Sequence, residues 1–123
     1  MILIVEDDAE NAASLREVLQ EEGYAIERAA DGADALQLLK DGMRPDLLLV
    51  DLMMPNIDGW KLATALREDT NLRSIPIVLL TADARGKEAA AQLGVNAYLS
   101  KPVDLGMLLD TVSLHYKSER PPA

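Results

Sequence analysis

Short continuous apolar runs, rather than alternating ones, organise this chain. Ile2 to Val5, Leu47 to Val50, Ile77 to Leu80 and Ala97 to Leu99 each proceed without a charged interruption. A strand with one wet face alternates; a run of this kind suits a strand covered on both faces, as in a parallel sheet. Tyr24 to Ala29 is a weaker fifth candidate. Between the runs the spacing turns helical. Leu15, Val18 and Leu19 precede Gly23, a C-terminal stop. Asp31 caps a segment carrying Ala35, Leu36 and Leu39 that ends at Gly42. Asp58 caps one bearing Leu62, Ala65 and Leu66, and Ala89, Ala90 and Leu93 mark a short helix closed by Gly94. The last stripe is Leu105, Leu108, Leu109 and Val112, at i, i+3, i+4 and i+7 behind Asp104.

Strand and helix patterns thus alternate five times with short connections. That order predicts an α/β fold with a parallel sheet and helices on both faces. Right-handed crossovers and the small size favour a flavodoxin-like (βα)5 three-layer sandwich, its five-stranded sheet in the order 2-1-3-4-5. The chain has 123 residues, enough for one domain. Residues 1–117 are expected to form it, with 118–123 as a C-terminal tail or linker stub. There is no internal repeat and no low-complexity block.

Charge narrows the function. Lys plus Arg number 12 against 21 Asp plus Glu, a formal net charge of -9. A field of that sign opposes direct nucleic-acid binding and suits a cation or a partner with a basic face. Cysteine is absent, which removes disulfides, thiolate metal sites and thiol nucleophiles. A cytoplasmic location is compatible with this. No run approaches membrane-spanning length, so no membrane association is expected. Phenylalanine is also absent, leaving the core to Leu, Ile, Val, Ala and Met.

The residues that follow each strand carry the chemistry. Glu6, Asp7 and Asp8 follow Val5, Asp51 follows Val50, Thr81 follows Leu80, and Lys101 stands two places after Leu99. In open α/β sheets the ligand crevice lies at the carboxyl ends of the strands, so four strands deliver these groups to one edge. Two carboxylates about 4 Å apart repel by roughly 4 kcal/mol at an effective dielectric near 20. Such a cluster needs a proton or a cation, and oxygen ligands without His or Cys point to Mg²⁺. For the acidic trio alone, ordinary solvated loop residues are an equal reading. Asp51 adds a carboxylate able to act as a covalent nucleophile toward a phosphoryl group. Lys101 would supply a positive charge, and Thr81 a hydroxyl donor, to the phosphoryl oxygens.

Along Ile2 to about Tyr116 the chain resembles a two-component response-regulator receiver domain of the chemotaxis-regulator kind. The matching pieces are Ile2-Leu3-Ile4-Val5-Glu6-Asp7-Asp8, Pro45-Asp46-Leu47-Leu48-Leu49-Val50-Asp51-Leu52-Met53-Met54-Pro55, Asp58-Gly59, Leu80-Thr81-Ala82 and Tyr98-Leu99-Ser100-Lys101-Pro102. All five in this order make a specific match. The resemblance implies that Asp51 is the phosphoacceptor and that Asp7 holds Mg²⁺ directly, with Mn²⁺ as a substitute. Glu6 then acts mainly through water, and the backbone carbonyl of Met53 is the third protein ligand. Thr81 is implied as the switch hydroxyl, Lys101 as the cation on the phosphoryl group, and Ala82 as the small residue that leaves the phosphate site open. Tyr98 matches the aromatic switch, and the Lys101–Pro102 bond matches one that is cis in the family. The implied partners are a histidine kinase or histidine phosphotransfer protein, and a downstream protein target that reads the fourth helix, fifth strand and fifth helix.

Two departures qualify the match. Thr81 and Lys101 lie 20 positions apart (101 − 81), about two fewer than is usual in the family, and the shortening falls around Ala84 to Ala91. That region forms part of the surface that typically passes the signal on in the family. Met53, two places beyond Asp51, is apolar and would do little to orient water, so slow self-dephosphorylation is expected. A turnover phosphatase with an aspartyl intermediate commonly carries a second acid at that position, so the chain is not expected to be a turnover enzyme. A module indifferent to phosphate is disfavoured by the complete set Glu6, Asp7, Asp51, Thr81 and Lys101. Trp60 reads mainly as a packing residue, and His115, the only histidine, as a surface residue outside the crevice.

Overall fold

A computed structural model describes residues 1–51, 59–82 and 86–116. In chain order the elements are β1 (Ile2–Val5), α1 (Ala9–Glu21), β2 (Ile26–Ala29), α2 (Gly32–Lys40), β3 (Leu47–Asp51), α3 (Gly59–Glu68), β4 (Ile77–Thr81), α4 (Gly86–Leu93), β5 (Ala97–Ser100) and α5 (Leu105–His115). All strand pairs are parallel, and the sheet order is β2-β1-β3-β4-β5. This is the expected flavodoxin-like (βα)5 arrangement.

The continuous apolar runs are explained by two cores, one on each face of the sheet. Leu3, Val5, Leu48, Val50 and Leu79 point to one side, against Leu39 of α2 and Leu62 and Leu66 of α3. Leu93 of α4 is partly buried on the same side. Ile2, Ile4, Leu47, Leu49, Val78 and Leu80 point to the other, against Leu19 of α1 and Leu108 and Val112 of α5. Successive strand residues serve opposite cores, so no position in β1, β3 or β4 can be polar until the strand ends. Each fully buried Leu or Ile contributes about 1.5–3 kcal/mol of transfer free energy. Three layers follow, with α2, α3 and α4 on one face and α1 and α5 on the other.

Helix boundaries follow capping chemistry. Asp31 accepts a hydrogen bond from the Asp34 N–H at 2.8 Å, and Asp104 one from the Met107 N–H at 3.0 Å, as the sequence predicted. Gly23 and Gly42 end α1 and α2 with φ of +95° and +113°, where an L side chain would be strained. β2 is shorter than the stretch from Tyr24 to Ala29. It pairs only with β1 at the sheet edge, while the Tyr24 ring leaves the ladder and packs 5.0 Å from the ring of Tyr116. The expected cap Asp58, the side chain of Trp60 and the tail at 118–123 lie outside the described residues. No helix among the described residues is long and apolar enough to cross a membrane.

Candidate functional site

Sheet register brings the strand ends together. Val5 pairs with Val50, which sets Glu6 beside Asp51; Asp51 pairs with Leu80, and Thr81 with Ser100. Glu6, Asp51 and Thr81 are the buried polar or charged residues among the described ones, at 3%, 4% and 0% exposure. All three sit on one edge of a sheet that is otherwise apolar, which separates this edge from an ordinary solvated loop region.

One carboxylate oxygen each from Glu6, Asp7 and Asp51 lies within 4.8 Å of the others. Asp7 is exposed, so the cluster opens to solvent on its side. Lys101 reaches the cluster as well: its Nζ is 2.6 Å from Asp51 Oδ2. The Lys101 backbone N–H donates to the Thr81 carbonyl at 2.8 Å, and the following Lys101–Pro102 peptide bond is cis. Ala82, next to Thr81, is exposed.

Glu6 shows what the cluster costs. Its Oε1 accepts from Asn11 Nδ2 at 3.0 Å, while Oε2 is buried with no hydrogen-bond partner. Burial, and then the neighbouring Asp51 carboxylate, push its pKa from the ordinary 4.5 up to about 7; the Asn11 hydrogen bond and the Lys101 charge oppose this. An orphaned buried carboxylate oxygen beside two further acids suits a hard divalent cation, which takes oxygen ligands and keeps several waters. The residues present therefore fit Mg²⁺.

Several supporting residues escaped the sequence reading. Asp8 does not join the cluster. It caps α1, accepting from the Glu10 and Asn11 N–H groups at 2.9 and 3.1 Å. The spacing from Asp8 to Asn11 at the head of a helical pattern was the available signal for this cap. Arg28, in β2, fixes the backbone of the acidic pair. Its Nε and Nη2 donate to the Glu6 carbonyl at 3.1 and 2.9 Å, and Nη2 also to the Asp7 carbonyl at 3.1 Å. Nothing local in the sequence points to Arg28, because its role depends on β2 lying beside β1.

The remaining candidates are distributed as follows. Tyr98 lies on β5 with 37% of its surface exposed. Met53 lies outside the described residues. His115 ends α5, 11 residues long, on the order of 15 Å along the helix axis from its start. It is therefore remote from the sheet edge that holds the acids.

Comparison with known proteins bears on the family and the fold. A family model described as the response regulator receiver domain matches residues 2–113. The chain is 34% identical over 113 residues to the polar-differentiation response regulator DivK of Brucella anthropi, covering 90% of this chain and 91% of that protein. Among solved structures, it resembles the signal receiver domain of a signal transduction histidine kinase from Syntrophus aciditrophicus, with a TM-score of 0.86 and 32% identity, covering 99% and 97% of the two chains. It also resembles the chemotaxis protein CheY4 of Vibrio cholerae, with a TM-score of 0.83 and 29% identity over 93% and 96%.

Proposed function

The chain belongs to the response-regulator receiver domains of two-component signalling, and from that premise we propose that it is a phosphoacceptor switch acting through Asp51. The observation that carries this reading is the buried Asp51 carboxylate, gripped by Lys101 Nζ at 2.6 Å and clustered with Glu6 and Asp7. A carboxylate so held is oriented for attack, as a nucleophile must be.

The donor is a phosphohistidine on a kinase or phosphotransfer protein. An Asp51 carboxylate oxygen attacks phosphorus while the P–N bond breaks, and the electron pair leaves with the imidazole nitrogen. Asp7 and Asp51 would hold Mg²⁺ directly, with Glu6 acting mainly through water and the Met53 carbonyl as a further ligand. The bound cation supplies charge neutralisation for the transferring group. Lys101 then moves its charge from the carboxylate to a phosphoryl oxygen. Thr81 turns its hydroxyl toward the same group beside Ala82, and Tyr98 follows inward.

The outcome is an altered surface on α4, β5 and α5 for a downstream protein. The domain promotes its own phosphorylation and slow dephosphorylation and is not a turnover enzyme. Residues 1–117 would constitute it, working in the cytoplasm without contacting nucleic acid or membrane.

The test is intact-mass spectrometry after incubation with Mg²⁺ and acetyl phosphate, beside Asp51→Asn. One added phosphoryl group that requires both Mg²⁺ and Asp51 is the expected result. No gain in the folded wild-type protein would overturn the reading.

A further inference from the structure

The first turn of α4 rests directly on the two residues that the proposed switch uses. Gly86 is buried, and a Cβ built on it would lie 2.7 Å from Thr81 Cγ2, 3.3 Å from Tyr98 Cδ2 and 3.6 Å from Tyr98 Cε2. Carbon atoms make good contact at about 3.5–4.0 Å, so the first distance is a clash and the second is tight. Unlike Gly23 and Gly42, Gly86 has no positive φ. Its backbone would accept any L residue, and what the position demands is space.

Thr81 has little freedom to yield. It is 0% exposed and branched at Cβ, its backbone pairs with Ser100, and its carbonyl accepts from the Lys101 N–H. Its methyl and hydroxyl turn together about χ1, so anything that pushes Cγ2 re-aims Oγ1. The Tyr98 ring, 37% exposed, is the softer neighbour. Resting on the reading of Thr81 and Tyr98 as the switch at Asp51, we infer that Gly86 is its positioning residue. The space left by its missing Cβ lets the Thr81 methyl and the Tyr98 ring edge close on the start of α4. A turn of Thr81 is then transmitted to both Tyr98 and α4.

The experiment compares wild type, Gly86→Ala, Thr81→Ser and the double variant, each with Mg²⁺ and acetyl phosphate. Phosphorylation of Asp51 is followed by intact mass, and the Tyr98 ring by NMR. Gly86→Ala should slow phosphorylation on the order of tenfold, because a displaced Thr81 hydroxyl meets the phosphoryl group out of position. It should also shift the Tyr98 signals before any phosphate is added. Thr81→Ser keeps the hydroxyl and deletes the clashing methyl. The double variant should therefore return to within about twofold of Thr81→Ser alone, the scale of simple additivity.

If wild type gains phosphate normally and Gly86→Ala matches it in rate and spectrum, the inference fails alone. Equal slowing by Gly86→Ala with and without the Thr81 methyl overturns it too, since a general change in helix stability would do that. If Gly86→Ala does not fold, a double variant that folds and reacts supports the inference. Failure of both to fold overturns it. No phosphoryl gain in wild type sinks the switch reading itself.

Discussion

Lys101 and Asp51 are joined across 50 positions of sequence by a contact of 2.6 Å between Nζ and Oδ2, the carboxylate 5% and the ammonium-bearing side chain 30% exposed. The pair offsets part of the repulsion within the acidic cluster. Because Lys101 stays partly in water, the interaction is weaker than a fully buried pair.

Lys101→Met should lower the stability of the metal-free protein by about 1–3 kcal/mol, because a buried carboxylate loses its charged partner. Added Mg²⁺ should recover a larger share of stability than it gives the wild type. Urea unfolding with and without Mg²⁺ measures both, and an unchanged midpoint in the metal-free protein would exclude the pair as a stabilising contact.

Glu6 should make metal-free stability depend on pH in a defined direction. Its folded pKa of about 7 lies above the ordinary 4.5, so between these values the folded chain binds more protons than the unfolded one. Stability present below pH 4.5 is then lost as pH rises through 7, by up to roughly 3 kcal/mol. Glu6→Gln should flatten that slope in thermal melts taken across the window. Parallel curves for the two proteins would mean that Glu6 does not titrate this way.

Asp51→Asn should nearly abolish the stabilisation by Mg²⁺, since ligand binding to the folded state is the source of that gain. In metal-free buffer the variant should compare more favourably with wild type at pH 8 than at pH 5.5, because an ionised Glu6 no longer faces a second charge. Calorimetry at the two pH values decides; equal Mg²⁺ stabilisation of both proteins would put the metal elsewhere.

Asp8 and Asp7 should separate cleanly. Asp8→Ala removes the cap of α1 and should cost about 1 kcal/mol while leaving Mg²⁺ affinity within about twofold. Asp7→Asn should do the reverse, sparing stability in metal-free buffer and weakening Mg²⁺ binding. Titration of Mg²⁺ against a thermal melt tests both, and weakened binding in Asp8→Ala would return Asp8 to the cluster.

Local patterns went far in this chain. The uninterrupted runs Ile2–Val5, Leu47–Val50 and Ile77–Leu80 could serve only strands covered on both faces, and two cores cover them. Asp31 and Asp104 announced helix starts, and Gly23 and Gly42 helix ends, through chemistry that acts within one turn. Because parallel strands deliver their carboxyl ends to one edge, the first polar residue after each run located Glu6, Asp51 and Thr81 together.

Contacts between distant segments were a different matter. Whether Asp7 or Asp8 faces the cluster depends on the angle at which α1 leaves β1, and Asp8 turned away to cap the helix. Arg28 reaches the Glu6 carbonyl only because β2 lies beside β1. Arg67, on α3, donates to the carbonyls of Gly94, Arg73 and Ile75 and to Asn96 Oδ1, joining loops that nothing in the sequence connects. The need for glycine at position 86 emerges only when Thr81 and Tyr98 are seen against it. The sequence alone determined the layers, the strand order and the edge that carries the chemistry, since periodicity and capping are short-range. Only the tertiary structure decided which side chains meet at that edge and how tightly, because packing distances are set by every element at once.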